Sequence, residues 1–251
     1  MLIGIGSMTA LMGASAPAVS ALPMNMVSSP RAQDSDTLRQ GIPGRRLGGG
    51  TRSDRIFAED YAYLAALVTP DNLGITTATY PELLFYVPEM VNAHSAEFVL
   101  RDSDDRLVYE TQFQLEQSGG IVSVGAAGSG NMMPLALDQN YRWYFSIVPN
   151  TTDRANDVVV HGGIRRVDQT AWLAQNALDV EGFAQLDPLS QAQLLYQHAG
   201  LWHDAALILD ELRQRSPEDE AVATEWSKLL EAADLSAVVP TKPDHIRIGF
   251  G

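Results

Sequence analysis

SAEFVLRDSDDRLVYETQFQL, residues 95–115, is the stretch whose reading decides the fold. Ala96, Phe98 and Leu100 alternate onto one face, and beyond the polar run Asp102 to Asp105 the residues Tyr109, Phe113 and Leu115 alternate again. Two period-2 segments joined by a short Asp/Ser-rich turn are the signature of a β-hairpin. The same period extends outward on both sides. In TYPELLFYVP (79–88), Leu83, Phe85 and Val87 alternate between two prolines, and further runs follow at Ile121 to Val124, Tyr141 to Ile147 and Val158 to Ile164. No helix-period segment interrupts them between Ala62 and Val167, so parallel βαβ winding is disfavoured and an antiparallel sandwich of about six or seven strands is expected.

After Asp168 the period changes. Trp172, Leu173, Ala177 and Leu178 are spaced near 3.6 residues, LSQAQLLYQHAG (189–200) ends on a glycine suited to a helix C-terminus, and Trp202 to Arg215 aligns Ala205, Leu209 and Leu212. Ser216-Pro217-Glu218-Asp219 reads as the start of a third helix, with Ser216 as N-cap and Pro217 in the first turn. Tyr196, Gly200, Trp202, Ala205, Leu209 and Pro217 fall at the spacing of one tetratricopeptide repeat, which must stack on its neighbours to bury its face. The expected fold class is therefore mainly β with a helical C-terminal part: an antiparallel β-sandwich, Ig-like in general architecture, followed by a tetratricopeptide-like helical hairpin plus one helix.

Charge divides the chain in the same way. Residues 1–30 hold no Asp, Glu, Lys or Arg; residues 31–55 hold six Arg against three Asp; residues 56–251 hold 11 basic and 28 acidic side chains. The expected segments are a leader (1–30), an Arg/Gly-rich flexible linker (31–58), the β-sandwich (59–167), the helical region (168–235) and an extended tail (236–251). The leader has an apolar stretch and small-x-small sites at Ala14-Ser15-Ala16 and Val19-Ser20-Ala21, the pattern of a secretory signal, although without its usual positive start. Export to the periplasm or the exterior is the expected localisation. A tail alternating at Ile246, Ile248 and Phe250 is expected to lie along the sandwich.

The formal charge of −14 across 251 residues excludes a nucleic-acid partner for the folded body, which lacks a basic face. The absence of cysteine removes disulfides, thiol nucleophiles and thiolate metal sites. His198 and His203 are five apart across a helix break and share no face for a metal. Asp102, Asp104 and Asp105 begin like a calcium loop, yet Arg106 stands where a third ligand belongs. Gly48-Gly49-Gly50 lacks the Gly-Lys-Ser/Thr of a phosphate loop, and Gly128-Ser129-Gly130 lacks the frame of a nucleophile elbow. No cofactor motif and no catalytic set is found.

Three candidate sites remain. Tyr196, Trp202 and His203 on the helical repeat are candidates for docking a protein partner in the cell envelope. Tyr86, Trp143 and Tyr144 are candidates for stacking a glycan on the sheet. Arg45, Arg46 and Arg52 are candidates for an anion-contacting arm. The leading expectation is a non-enzymatic, extracytoplasmic interaction or envelope scaffold module without a transmembrane span in the mature chain; a carbohydrate-binding module is the alternative, and an acid hydrolase using two surface carboxylates ranks below both.

In order along the chain, GIPGRRLGGGTR (41–52), LAALVTPDNLGITTATYPELLFYVP (64–88), AEFVLRDSDDRLVYETQFQL (96–115), GIVSV (120–124), YRWYFSIV (141–148), VVVHGGIRRV (158–167) and LYQHAGLWHDAALILDELR (195–213) resemble an uncharacterised cyanobacterial family, the domain of unknown function DUF928. The resemblance spans residues 41–235 and implies exported envelope proteins with a strand-rich core and a helical end, with no catalytic residue to carry over. It further implies a family cysteine near the first strand and another after the YRWYF-like strand. Here those regions read Glu59-Asp60-Tyr61 and Val148-Pro149-Asn150, so the sandwich must hold by packing alone.

Overall fold

The computed structural model describes residues 44–49, 56–125 and 133–246. Within them the protein is mainly β with helices at its C-terminal end. The first sheet runs in the order β1 (Leu47–Gly49), β2 (Tyr63–Ala66), β4 (Glu82–Val87), β7 (Gly120–Gly125) and β10 (His245–Ile246). The second runs β3 (Leu73–Thr76), β9 (Val158–Arg166), β8 (Asn140–Val148), β5 (His94–Arg101) and β6 (Leu107–Leu115).

The hairpin expected at 95–115 is β5–β6, in antiparallel register with Ala96 opposite Phe113 and Phe98 opposite Thr111. Its turn is closed by Asp102, whose carboxylate accepts from the backbone amides of Asp104 and Arg106, both at 2.9 Å. That explains the acidic run without a cation. The expectation of a purely antiparallel sheet needs correction. The four-residue β3 pairs with β9 in parallel, and the two-residue β10 pairs with β7 in parallel, so both sheets are mixed. Short edge strands carry little hydrophobic period of their own, and their direction is set by where the chain re-enters.

Inward side chains of both sheets share one core. Phe85 of β4 stacks on Phe145 of β8 with ring centroids 4.3 Å apart and meets Trp143 edge-on at 5.5 Å. The Trp143 indole also donates to the Gly163 carbonyl at 3.2 Å. A side chain at Gly162 would lie 2.5 Å from that indole, which is why β9 carries a glycine there.

The helices are α1 (Gln169–Gln175), α2 (Val180–Gln185), α3 (Pro188–Leu194), α4 (Trp202–Arg215) and α5 (Glu220–Ala232), with a π turn at Leu195–Ala199 between α3 and α4. Gly200 ends that turn in the left-handed conformation, φ 66°, as its position in the sequence anticipates. The start of α5 differs from expectation. Asp219, not Ser216, is its N-cap, because the Asp219 carboxylate reaches the amides of Ala221 and Val222 while Ser216 to Asp219 closes a turn before the helix.

A second core joins the helices to the outer face of the first sheet. Ala65, Leu67, Leu84 and Ile121 are buried there against Leu201, Ala205, Leu209 and Trp226. Asp204, in the first turn of α4, ties the helices to the second sheet as well, accepting from the hydroxyl of Thr76 at the end of β3 at 2.6 Å and from the Thr77 amide and hydroxyl at 2.8 and 2.7 Å. The segment read as a flexible linker, 31–58, is built into the fold where it is described. Leu47–Gly49 is β1, and Ile56 and Phe57 are buried in the shared core. Arg45 exchanges backbone hydrogen bonds with His161 of β9, both at 2.9 Å, while Arg46 accepts from Ala66 of β2, so one short segment touches both sheets. Glycines and arginines conceal this strand from a hydrophobic-period reading. The leader lies outside the described residues.

Candidate functional site

The helical candidates are structural. Trp202 is buried and its indole donates to the Leu229 carbonyl at 3.2 Å. His203 is only 3 % exposed, with its ring hydrogen-bonded to the Glu82 backbone and Nε2 without a partner. Burial holds the His203 pKa below its ordinary value, against the smaller opposing pull of Asp204, so the ring is neutral. Tyr196 is half-buried and donates to Glu225 at 2.8 Å, inside a network completed by Lys228. Tyr196 thus links the π turn to α5, Trp202 links α4 to α5, and Trp202 and His203 are buried.

The sheet candidates separate. Trp143 is fully buried and cannot meet a glycan. Tyr144, its neighbour on β8, points the other way, onto the outer face of the second sheet, where it stacks on His161 at 5.7 Å. Tyr86 belongs to the first sheet, on its outer face. Period 2 puts Trp143 and Tyr144 on opposite faces, and their adjacency in sequence misleads. As for the arm, Arg46 donates to the Ala233 carbonyl at the end of α5 and to the Val68 carbonyl at 3.4 Å, so it serves a helix C-terminus and not an outside anion. Arg45 donates to the Leu47 carbonyl at 3.0 Å, and Arg52 lies outside the described residues.

Tyr86 does belong to a site, with different companions. A groove of about 950 Å³ lies where the helices stop covering the first sheet, between the start of β2, the end of β4, the start of β7 and the tail segment before β10. Tyr61, Tyr63 and Tyr86 line it, and among the described residues Glu59, Asp60, Glu89 and Asp244 stand around it with one cation, Lys242. Tyr61 is 90 % exposed and sits at φ 65°, a left-handed backbone that bulky residues rarely adopt. Tyr63, on β2, has the same outward parity as Ala65, which pairs with Tyr86 across to β4, so both rings project from one face. Burial, and then the neighbouring Glu59 carboxylate, pushes the Tyr86 phenol up from its usual value, keeping it a neutral donor.

The far wall of the groove is fixed. Pro243 accepts from Arg213 at 2.8 Å, and Arg213 lies over the Trp226 ring at 4.5 Å. His245 approaches Asp210 at 3.3 Å and Gln214 at 3.1 Å. At Gly120 a side chain would meet the Asp244 carbonyl at 2.5 Å, so glycine lets the tail lie close on β7. Among the described residues no group of three or more His, Cys, Asp or Glu is placed to hold a metal ion, and no helix is long and apolar enough to cross a membrane.

Sequence reasoning missed Tyr61 and Tyr63. The signal was Glu59-Asp60-Tyr61-Ala62-Tyr63, two tyrosines at a strand-like spacing directly after an acidic pair, immediately before the buried run Leu64 to Val68.

Residues 47–243 match the family described as Domain of Unknown Function (DUF928). The chain belongs to this family. The match begins at β1 and ends at the tail segment of the groove, so both sheets' main strands, all five helices and the groove lining up to Pro243 fall inside the DUF928 region. None of the curated proteins matches the chain.

Proposed function

We propose that this DUF928 protein is a non-enzymatic, extracytoplasmic protein-interaction module, a β-sandwich braced by a tetratricopeptide-like hairpin, and that the tyrosine groove is its binding site. The observation that carries the reading is the groove itself, with Tyr61 held fully to solvent on a left-handed backbone beside Tyr63 and Tyr86. Tyrosine gives a large, stiff, amphipathic contact surface and is enriched where partners anchor. Rigid strands and a pinned tail support those rings, so little ordering is needed when a ligand arrives. Among the described residues of the lining no nucleophile is hydrogen-bonded to a base, and the perturbed His203 is buried and is not part of the lining.

Chemical crosslinking in the envelope of the native host, followed by mass spectrometry, tests this. The Tyr61→Ala/Tyr63→Ala chain is expected to keep its melting behaviour and lose the crosslinked partner, whereas Tyr144→Ala keeps it. Equal capture by all three chains contradicts the assignment. A glycan is the second reading, favoured by the combination of aromatic faces with carboxylates able to accept from sugar hydroxyls. Retardation of the full chain in gels containing envelope polysaccharide, lost in the double variant, would select it.

A further inference from the structure

The rim of the groove says more about the partner than its floor does. Among the described residues, four carboxylates, Glu59, Asp60, Glu89 and Asp244, line it with one ammonium, Lys242. Among the described residues the Glu59, Glu89 and Asp244 side chains are exposed and take part in no ion pair or side-chain hydrogen bond. This contrasts with other carboxylates of the protein: Asp204 is bound to two threonines, Glu225 to Tyr196 and Lys228, and Glu97 to Arg154. Carboxylates left unpaired around tyrosine faces make a surface of negative potential. Aromatic faces present the negative side of their quadrupole, so rings and rim attract the same kind of group.

Resting on the groove as the binding site, we propose that its occupant is a cationic, extended peptide segment, whose Lys or Arg side chains lie over Tyr61 and Tyr63 and are met by Glu59, Glu89 and Asp244. The groove is flanked by strand ends and by the extended tail, a shape suited to a chain without helical girth. A peptide that stays extended through proline loses little freedom on docking against aromatic rings. Anionic polymers are repelled by the same rim, and a neutral polymer gains nothing from its charge.

Fluorescence anisotropy of the full chain with a fluorescein-labelled peptide of alternating Lys and Pro tests the proposal, with an alternating Gln-Pro peptide as the neutral comparison. The Lys-Pro peptide is expected to saturate, and Glu59→Gln/Glu89→Gln and Tyr61→Ala are each expected to weaken it by about tenfold. Glu110→Gln/Glu181→Gln removes the same charge from exposed positions outside the groove lining and is expected to change affinity less than about twofold, since distant surface charges are screened. Equal weakening by the two carboxylate pairs would mean general attraction to an acidic body and would overturn the proposal, as would tight binding of the Gln-Pro peptide or no binding of the Lys-Pro peptide. If crosslinked partners still depend on Tyr61 and Tyr63 while the Lys-Pro peptide fails, the binding site stands and only its ligand class falls.

Discussion

The two sheets have unlike outer faces. The outer face of the first sheet is roofed by helices, with Leu84 and Ile121 buried against them, whereas that of the second carries Glu97, Gln112, Gln114, Arg142 and Tyr144 toward solvent. The difference is written in the strands. β4 reads ELLFYV, apolar at almost every position, because it is covered on both sides; β5 and β6 alternate, because they are covered on one. The lesson is that the groove opens where the roof ends. On the bare face, ion pairs and polar side chains satisfy one another, as Arg154 does between Glu97 and Asp157. At the edge of the roof, Tyr61 stands exposed, and among the described residues Glu59, Glu89 and Asp244 take part in no ion pair.

The largest effect that can break this comparison is at adjacent positions of β8. Trp143→Ala is expected to cost about 3–5 kcal/mol by emptying the shared core, and Tyr144→Ala less than about 1 kcal/mol. Across the two outer faces, Leu84→Ala is expected to cost about 2–5 kcal/mol and Val99→Ala less than about 1 kcal/mol. Denaturant unfolding measures all four, and similar losses at Leu84 and Val99 would mean that the two faces are covered alike.

A smaller effect sharpens how the roof is fastened. Asp204→Asn is expected to cost about 1–3 kcal/mol, because two threonines lose a charged acceptor at the junction of α4 with β3. His203 adds a pH dependence beside it. Its pKa is lowered in the folded chain, so below about pH 6.5 the unfolded chain binds a proton that the native chain refuses. Stability therefore falls on acidification through that window, by up to about 1.4 kcal/mol per pH unit until the native ring titrates. His203→Gln is expected to flatten this slope in urea titrations taken across the window; an unchanged slope would assign it elsewhere. Smallest of all, Tyr61→Ala is expected to leave stability within about 0.5 kcal/mol of the parent, since an exposed ring supports nothing beneath it.

Much of this architecture was legible from period alone. The hairpin at 95–115 was readable because alternation and an Asp-rich turn agree, and Gly200 announced the end of a helical segment. β1 was not legible, since Leu47-Gly48-Gly49 has one apolar side chain and earns its place by closeness to Val158, Val160 and Tyr63. The candidate site was half legible. Tyr86 could be named from its strand, yet its companions could not, because Trp143 and Tyr144 are near it only in composition, and Tyr61 and Tyr63 come together with it through the pairing of β2 with β4. Tyr196 and Trp202 stand out in the sequence by their spacing, but spacing alone does not tell a buried ring from an open one: Trp202 is buried and Tyr196 only partly so.

The most direct test of the groove as the binding site is a photo-crosslinking amino acid placed at position 61, 63 or 112 of the full chain in its native host. Adducts of one partner from positions 61 and 63, with none from position 112 on the bare face, are the result expected here. Adducts concentrated at position 112, or equal at all three, would contradict it.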